Sequence, residues 1–327
     1  MSNQLRFVEL GATMPFPTSR IPAVNVATVP QRSPLRYPGG KTWLIPHIRE
    51  WLAGADASIL IEPFAGGGIV SLTAVMEGYV DLAVMIEIDH DVAAFWHSAL
   101  RQGGQMAERI KEFEPTRETL GDWETSKPQS VNEHGFRTLV LNRTRRAGIL
   151  ADGASYMLNG ENGKGLLSRW YPDTLASRLA AIEEHASKIV FCEGDGAKLL
   201  PPILHGWGNR AAVFLDPPYT AGGKRAGKRL YAESEIDHEA LFTLLAKRNA
   251  NFLMTYDQAP EIVKLVHKYG FHAVCVEMKN AHHNRLPELV ITRDSIFEQA
   301  DMASASGSAS HLPRCRRVDV WSLLKAR

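Results

Sequence analysis

Ser58-Ile59-Leu60-Ile61-Glu62-Pro63-Phe64-Ala65-Gly66-Gly67-Gly68 joins an apolar run to a run of glycines, and Val70–Met76 follows with a helical pattern. A short apolar run that stops at a proline and glycines reads as a buried strand feeding a tight turn. Working outward, the same alternation recurs. Strands are expected at Ser58–Glu62, Leu82–Glu87, Lys188–Cys192, Ala211–Leu215, Asn251–Tyr256, Phe271–Glu277 and Leu289–Thr292. Helices are expected at Thr42–Leu52, Val70–Met76, Asp91–Leu100, His238–Arg248 and Pro260–Lys268, with Asp237 as an N-cap and Gly270 just past a C-terminus. Strands alternating with helices imply an α/β fold around a doubly wound, mostly parallel seven-stranded sheet.

One segment breaks the alternation. Residues 101–187 contain no convincing strand and read as an inserted, mainly helical domain for recognising a target. It divides a catalytic domain into residues 34–100 and 188–299. Residues 1–33, with Pro15, Pro17, Pro22 and Pro30, read as an irregular or mobile leader; residues 300–327 read as a flexible spacer and tail. Charge is balanced overall, 37 Lys+Arg against 36 Asp+Glu, so no global attraction to nucleic acid follows. The balance hides a local excess: Arg137, Arg143, Arg145, Arg146, Lys164 and Arg169 face only Asp152 and Glu161 within one stretch of the insert. Such an excess also fits a solvated helical face.

The chain's 327 residues, 45% of them apolar, can bury a core without staples. The three cysteines are scattered and lack paired spacing, which fits free thiols in a reducing compartment and gives no zinc motif. No apolar stretch is long enough to span a membrane and no secretory signal is visible, so a cytoplasmic protein is expected, without metal and monomeric in solution.

Three motifs carry chemistry. In Glu62–Gly68 the glycines let backbone approach a ligand, and Glu87, at the end of the next strand, can accept hydrogen bonds from the hydroxyls of a ribose. Asp89 competes for that role. Together they point to an adenosine-containing cofactor, but Ser71 stands where the dinucleotide fingerprint wants Gly or Ala. Arg36-Tyr37-Pro38-Gly39-Gly40-Lys41-Thr42 ends like a phosphate loop, yet Leu35 occupies the first glycine position. In Val213-Phe214-Leu215-Asp216-Pro217-Pro218-Tyr219, an apolar strand runs into a proline-stiffened turn. At the carboxyl edge of a parallel sheet this presents a carboxylate, a carbonyl and an aromatic ring to one cleft. That trio suits a planar base with an amino group, Asp216 and the Pro217 carbonyl accepting its hydrogens and Tyr219 stacking on its face.

The order of these motifs resembles the Dam-type DNA adenine methyltransferases over roughly residues 34–294. Leu141-Asn142-Arg143-Thr144, Arg169-Trp170-Tyr171, Asp237-His238 and Glu288-Leu289-Val290-Ile291 resemble further family segments, while Arg145-Arg146 and Pro38 depart from them. The resemblance implies a Rossmann-like methyltransferase that uses S-adenosylmethionine and double-stranded DNA. It implies a catalytic Asp216-Pro217-Pro218-Tyr219 and a cofactor site from Tyr37, Lys41, Glu62, Phe64, Gly66, Gly68, Glu87 and Asp195. Lys41 is expected near the methionine carboxylate, Phe64 and Gly66 at the methionine end, Glu87 at the ribose and Asp195 at the cofactor's adenine amine. Arg143, Arg145, Arg146 and Arg169 are expected on DNA. So are Lys224, Arg225, Lys228 and Arg229, in a glycine-rich loop expected to close over a flipped base. His282 and His283 have no third ligand at metal spacing. A cytosine-5 enzyme is excluded because no cysteine follows a proline. Cytosine-N4 methylation, and a silent DNA-binding protein of the same fold, remain alternatives, as does restriction-modification as the setting.

Overall fold

The computed structural model describes residues 15–22, 24–37, 39–151, 153–158, 163–218, 236–279 and 285–298. Tyr219, the basic loop with Lys224, Arg225, Lys228 and Arg229, the histidines at 282 and 283 and the tail from 300 lie outside the described residues.

Seven strands form one sheet: β1 (Ile59–Glu62), β2 (Leu82–Glu87), β3 (Ile189–Glu193), β4 (Ala211–Leu215), β5 (Asn251–Tyr256), β6 (His272–Lys279) and β7 (Arg285–Thr292), in spatial order β3-β2-β1-β4-β5-β7-β6. The first five are mutually parallel, and β7 is antiparallel to both of its neighbours. Each strand expectation lands on a strand: β2, β4 and β5 match at both ends, and the others are shifted by a few residues. Chain order reverses between β1 and β4, where Ile61 pairs with Val213. Segments leaving two adjacent parallel strands in opposite directions open a crevice at their carboxyl ends. The residues that follow there are Pro63–Gly68 on one side and Asp216–Pro218 on the other.

Burial follows the two-residue period of a strand covered on both faces. Ile59, Ile61, Val213, Leu215, Phe252 and Met254 point to one core; Leu60, Ala212, Phe214 and Leu253 point to the other. The first core receives α7 (Gly196–Trp207), α8 (His238–Lys247) and α9 (Pro260–Tyr269) through Leu200, Leu204, Phe242, Leu245 and Ile262. The second receives α1 (Ile45–Gly54), α2 (Ile69–Met76) and α3 (His90–Glu112).

The segment without strands is helical among its described residues, with α4 (Arg117–Thr125), α5 (Val131–Thr144) and α6 (Pro172–Glu184) as its longer elements. α3 runs through residue 100 into this segment, its one non-helical backbone position being Gln102. Phe136, Leu139, Leu175 and Leu179 join the same core as the sheet's second face. Gly135 and Gly103 permit the close fit: a Cβ at Gly135 would stand 2.6 Å from the Ala94 carbonyl oxygen, and one at Gly103 would stand 2.9 Å from that of Leu179.

Two readings are corrected. α7 was not expected, because Pro201 and Pro202 sit inside it. The prolines forfeit two backbone donors, but Asp195 caps the helix and its apolar face holds it to the sheet. The described part of the leader is irregular, as expected, yet it is anchored. Pro17 O accepts from Cys275 N at 2.8 Å and Ser19 N donates to Cys275 O at 3.0 Å, so the leader covers the open edge of β6.

Candidate functional site

The glycine turn after β1 is fixed by what its missing side chains allow. A Cβ on Gly66 would stand 2.8 Å from the Tyr37 ring, and one on Gly68 would stand 2.5 Å from Met85 Cε and 2.7 Å from the Trp96 ring. Both glycines have positive φ, 47° and 63°. The Gly66 carbonyl accepts from Trp96 Nε1 at 2.8 Å, and its N–H donates to Glu87 Oε2 at 2.7 Å. The other Glu87 oxygen accepts from Asp89 N at 2.9 Å. Glu87 therefore ties the end of β2 to the glycine turn. Burial pushes its carboxyl up to about 7, against the opposing pull of the Asp89 and Gly66 amides. The carboxylate lines the cavity, where it can accept from a ligand hydroxyl. Asp89 caps α3 by accepting from Asp91 N and Val92 N.

Glu62 closes β1 below the same turn. It accepts from both the backbone N–H and the hydroxyl of Ser71 in α2, and burial pushes its carboxyl up to about 8. Both bonds fall on Oε2, and Glu62 lines the cavity where the resemblance expects the cofactor. Across the crevice, Asp195 accepts from Ala197 N at 3.0 Å at the start of α7. The adjoining Gly196 is essential to that placement, because a Cβ there would be 1.8 Å from the Pro63 carbonyl oxygen.

Asp216 leaves β4 at the other side of the reversal point. Its Oδ1 accepts from Thr255 Oγ1 at 2.8 Å and its Oδ2 meets Lys41 Nζ at 2.8 Å. Lys41 also meets Glu288 Oε1 at 3.2 Å and donates to the Gly39 carbonyl at 2.8 Å. Burial alone would lower the Lys41 ammonium, but the charges of Asp216 and Glu288 outweigh it and hold the group above its ordinary range. The resemblance expects Lys41 near a methionine carboxylate; in the fold it is a buried cation on the cavity wall that meets two protein carboxylates.

These groups line one cavity of about 660 Å³, within the range of small-molecule sites. Tyr37, Lys41, Glu62, Phe64, Gly66, Gly68, Glu87, Asp195, Asp216 and Pro218 all face it, while Pro217 is buried. Gly66 and Asp216, 150 residues apart in sequence, meet here because β1 and β4 are neighbours.

The cavity has a basic wall. Arg36, Arg143, Arg169 and Arg178 line it. Arg143 is 5% exposed, with no partner for its Nε. Burial, then the charges of Arg178, Arg36 and Arg169, push its guanidinium down to about 9, still charged at neutral pH. Arg145, two residues on, turns the opposite way. Its guanidinium meets Glu124 at 2.7 Å and donates to the Leu150 carbonyl at 2.8 Å, and it is buried. The guanidinium of Arg145, expected on DNA, is held by Glu124 and the Leu150 carbonyl through its two terminal nitrogens, while its Nε has no partner. Arg146 is exposed. Sequence reasoning assigned no role to Arg36, Arg178, Thr255 or Glu288. Arg178 carries no local signal, since an arginine on an amphipathic helix reads as solvated. Among the described residues no group of three or more His, Cys, Asp or Glu side chains forms a metal site, and no helix is long and apolar enough to cross a membrane.

A parallel-sheet crevice with a glycine turn on one lip and an acid on the other, at the point where strand order reverses, is where such sheets bind ligands. Residues 37–280 match the family described as D12 class N6 adenine-specific DNA methyltransferase, and the chain belongs to that family. A DNA N-6-adenine-methyltransferase of Escherichia phage P1 is 24% identical over 255 residues. The match covers 74% of this chain and 32% of that protein, so the chain spans about a third of the length of its relative. Among solved structures, the rRNA methyltransferase aviRa from Streptomyces viridochromogenes aligns over 84% of this chain and 86% of its own, at 15% identity and a TM-score of 0.36. Precorrin-6y C5,15-methyltransferase from Geobacter metallireducens aligns over 76% and 85%, at 11% identity and a TM-score of 0.31.

Proposed function

We propose that this chain transfers a methyl group from S-adenosylmethionine to the exocyclic N6 amine of adenine in double-stranded DNA. The observation that carries the reading is that Asp216 and the glycine turn face one cavity from adjacent strands. Family membership supplies the base.

The residues present fit the cofactor. The glycine turn, packed against the Tyr37 and Trp96 rings, brings its backbone to the cavity wall beside Glu87, whose carboxylate suits ribose hydroxyls. Asp195, across the crevice, can accept from an adenine amine. When bound, the cofactor supplies an electrophilic methyl on a sulfonium. Asp216 and the carbonyl after it would accept the hydrogens of the target amine, favouring a pyramidal nitrogen whose lone pair is free to attack. The carboxylate would also stabilise positive charge as it develops on that nitrogen. Holding amine and methyl in line supplies the rest. A base inside a duplex cannot reach this crevice, so the target is flipped, at a cost of roughly a few kcal/mol. Tyr219 would stack on it.

The charges that perturb Arg143 most are those of three other arginines, with no carboxylate among them. A phosphodiester of the extruded nucleotide would supply an anion there. The helical segment 101–187 is then the target-recognition region and the 222–229 loop a second phosphate contact. The setting we propose is a bacterial cytoplasm or a phage infecting it, by analogy with the phage relative.

Transfer of tritium from labelled S-adenosylmethionine to duplex DNA tests the reading. Wild type should incorporate label and Asp216→Ala should not. A wild type that binds DNA and incorporates nothing would make the chain a silent binder.

A further inference from the structure

We propose that Thr255 and Glu288 are positioning residues for Asp216, Thr255 acting directly and Glu288 through Lys41; this rests on the methyl-transfer reading above.

The sheet itself sets the three side chains together. β4 pairs with β5 at Leu215 and Met254, so the next residue of each strand, Asp216 and Thr255, come side by side. β5 pairs with β7 at Tyr256 and Leu289, which brings Glu288 to the same edge. Thr255 is 0% exposed and Glu288 3%. Buried polar groups of this kind are retained only where they are bonded.

Lys41 links the two carboxylates. An ammonium has three protons, and Gly39 O, Asp216 Oδ2 and Glu288 Oε1 stand within 2.8, 2.8 and 3.2 Å of its nitrogen. Its direction toward Asp216 is thus set by the other two acceptors. Thr255 grips the opposite Asp216 oxygen at 2.8 Å. With Thr255 on one oxygen and Lys41 on the other, the plane of the carboxylate is set where Asp216 lines the cavity. Glu288 has an electrostatic effect as well. Were Asp216 the sole partner of Lys41, the ammonium would draw on its acceptor strength. Two carboxylates around one cation leave net negative charge beside the reacting nitrogen, where positive charge develops in the transition state.

The test compares Thr255→Val, which keeps shape and removes the donor, with Thr255→Ser, which keeps the donor, and Glu288→Gln, which keeps shape and removes the charge. Single-turnover methyl transfer is measured beside dissociation constants for S-adenosylhomocysteine and duplex DNA and beside the melting temperature. Thr255→Val and Glu288→Gln should slow the single turnover by roughly 10–100-fold, the scale of a misplaced reacting group. Both dissociation constants should stay within about twofold, and Thr255→Ser should stay within about threefold of wild type. Wild-type turnover in Thr255→Val or in Glu288→Gln overturns the role of that residue. So does a rate loss that only follows lost folding or lost cofactor binding. If Thr255→Val does not fold, a Thr255→Ser protein as slow as Glu288→Gln overturns the hydroxyl's role. A wild type with no transfer to DNA at all would instead remove the underlying reading before any variant is compared.

Discussion

Lys41 and Arg143 are both buried cations on the wall of the same cavity, and their surroundings differ completely. Lys41 has protein oxygens around its ammonium, two of them from carboxylates. Arg143 has three other arginines as its strongest charged neighbours and an Nε without a partner. A buried charge is tolerated where it is paired; one surrounded by like charge is costly unless a ligand completes it. The countered cation belongs to the architecture of the clamp on Asp216. In the function proposed above, the anion of a substrate would sit beside Arg143.

The largest effect should come from the clamp. Asp216→Ala should lower the rate of methyl transfer by at least about 10²–10³-fold, the scale of losing a group that stabilises transition-state charge, while S-adenosylhomocysteine still binds. Loss of cofactor affinity in equal measure would move Asp216 from the chemistry to the architecture. Next is the basic wall. Arg143→Ala should weaken DNA binding at every salt concentration and reduce the slope of log K against log[salt] by about one, as one lost phosphate contact does. An unchanged slope would leave the arginines without the phosphate assigned to them.

Arg145→Ala sharpens the contrast, because it removes an equal charge two residues away. Its guanidinium is committed to Glu124 and to the Leu150 carbonyl, so the variant should lose about 1–3 kcal/mol of stability and keep the wild-type salt slope. Denaturant unfolding alongside binding isotherms checks both halves.

Those two arginines also define how much the sequence could say. The strands were legible because two-sided burial writes continuous apolar runs, and the glycine turn because Gly66 and Gly68 occupy conformations that other residues resist. The partners across the crevice were legible as motifs, since Asp216 and Glu87 end strands. What could not be read was the direction of a long side chain. Arg143 and Arg145 are alike in sequence, and only the register of α5, which ends between them at Thr144, turns one to the cavity and the other to Glu124. Glu288 and Thr255 were hidden for a related reason: their meeting with Asp216 depends on the pairing of β4, β5 and β7, which no local pattern encodes. α7 was missed because its caps and apolar face override two prolines.

The smallest effect concerns Glu62. Burial raises its folded carboxyl to about 8, above the ordinary glutamate value of 4.5. A carboxyl raised on folding favours the native state while protonated, so this contribution is complete below about pH 4.5 and fades as pH rises toward 8. Glu62→Gln should therefore show a melting temperature that falls less between pH 5 and pH 8 than that of wild type, by roughly a few degrees. Parallel melting profiles would place the raised group elsewhere.

The most direct measurement is the identity of the modified base. Duplex DNA incubated with the chain and S-adenosylmethionine is digested to nucleosides and analysed by mass spectrometry. The clamp on an adenine amine predicts N6-methyldeoxyadenosine, absent with Asp216→Ala. N4-methyldeoxycytidine as the product, or no methylated nucleoside from wild type, would contradict it.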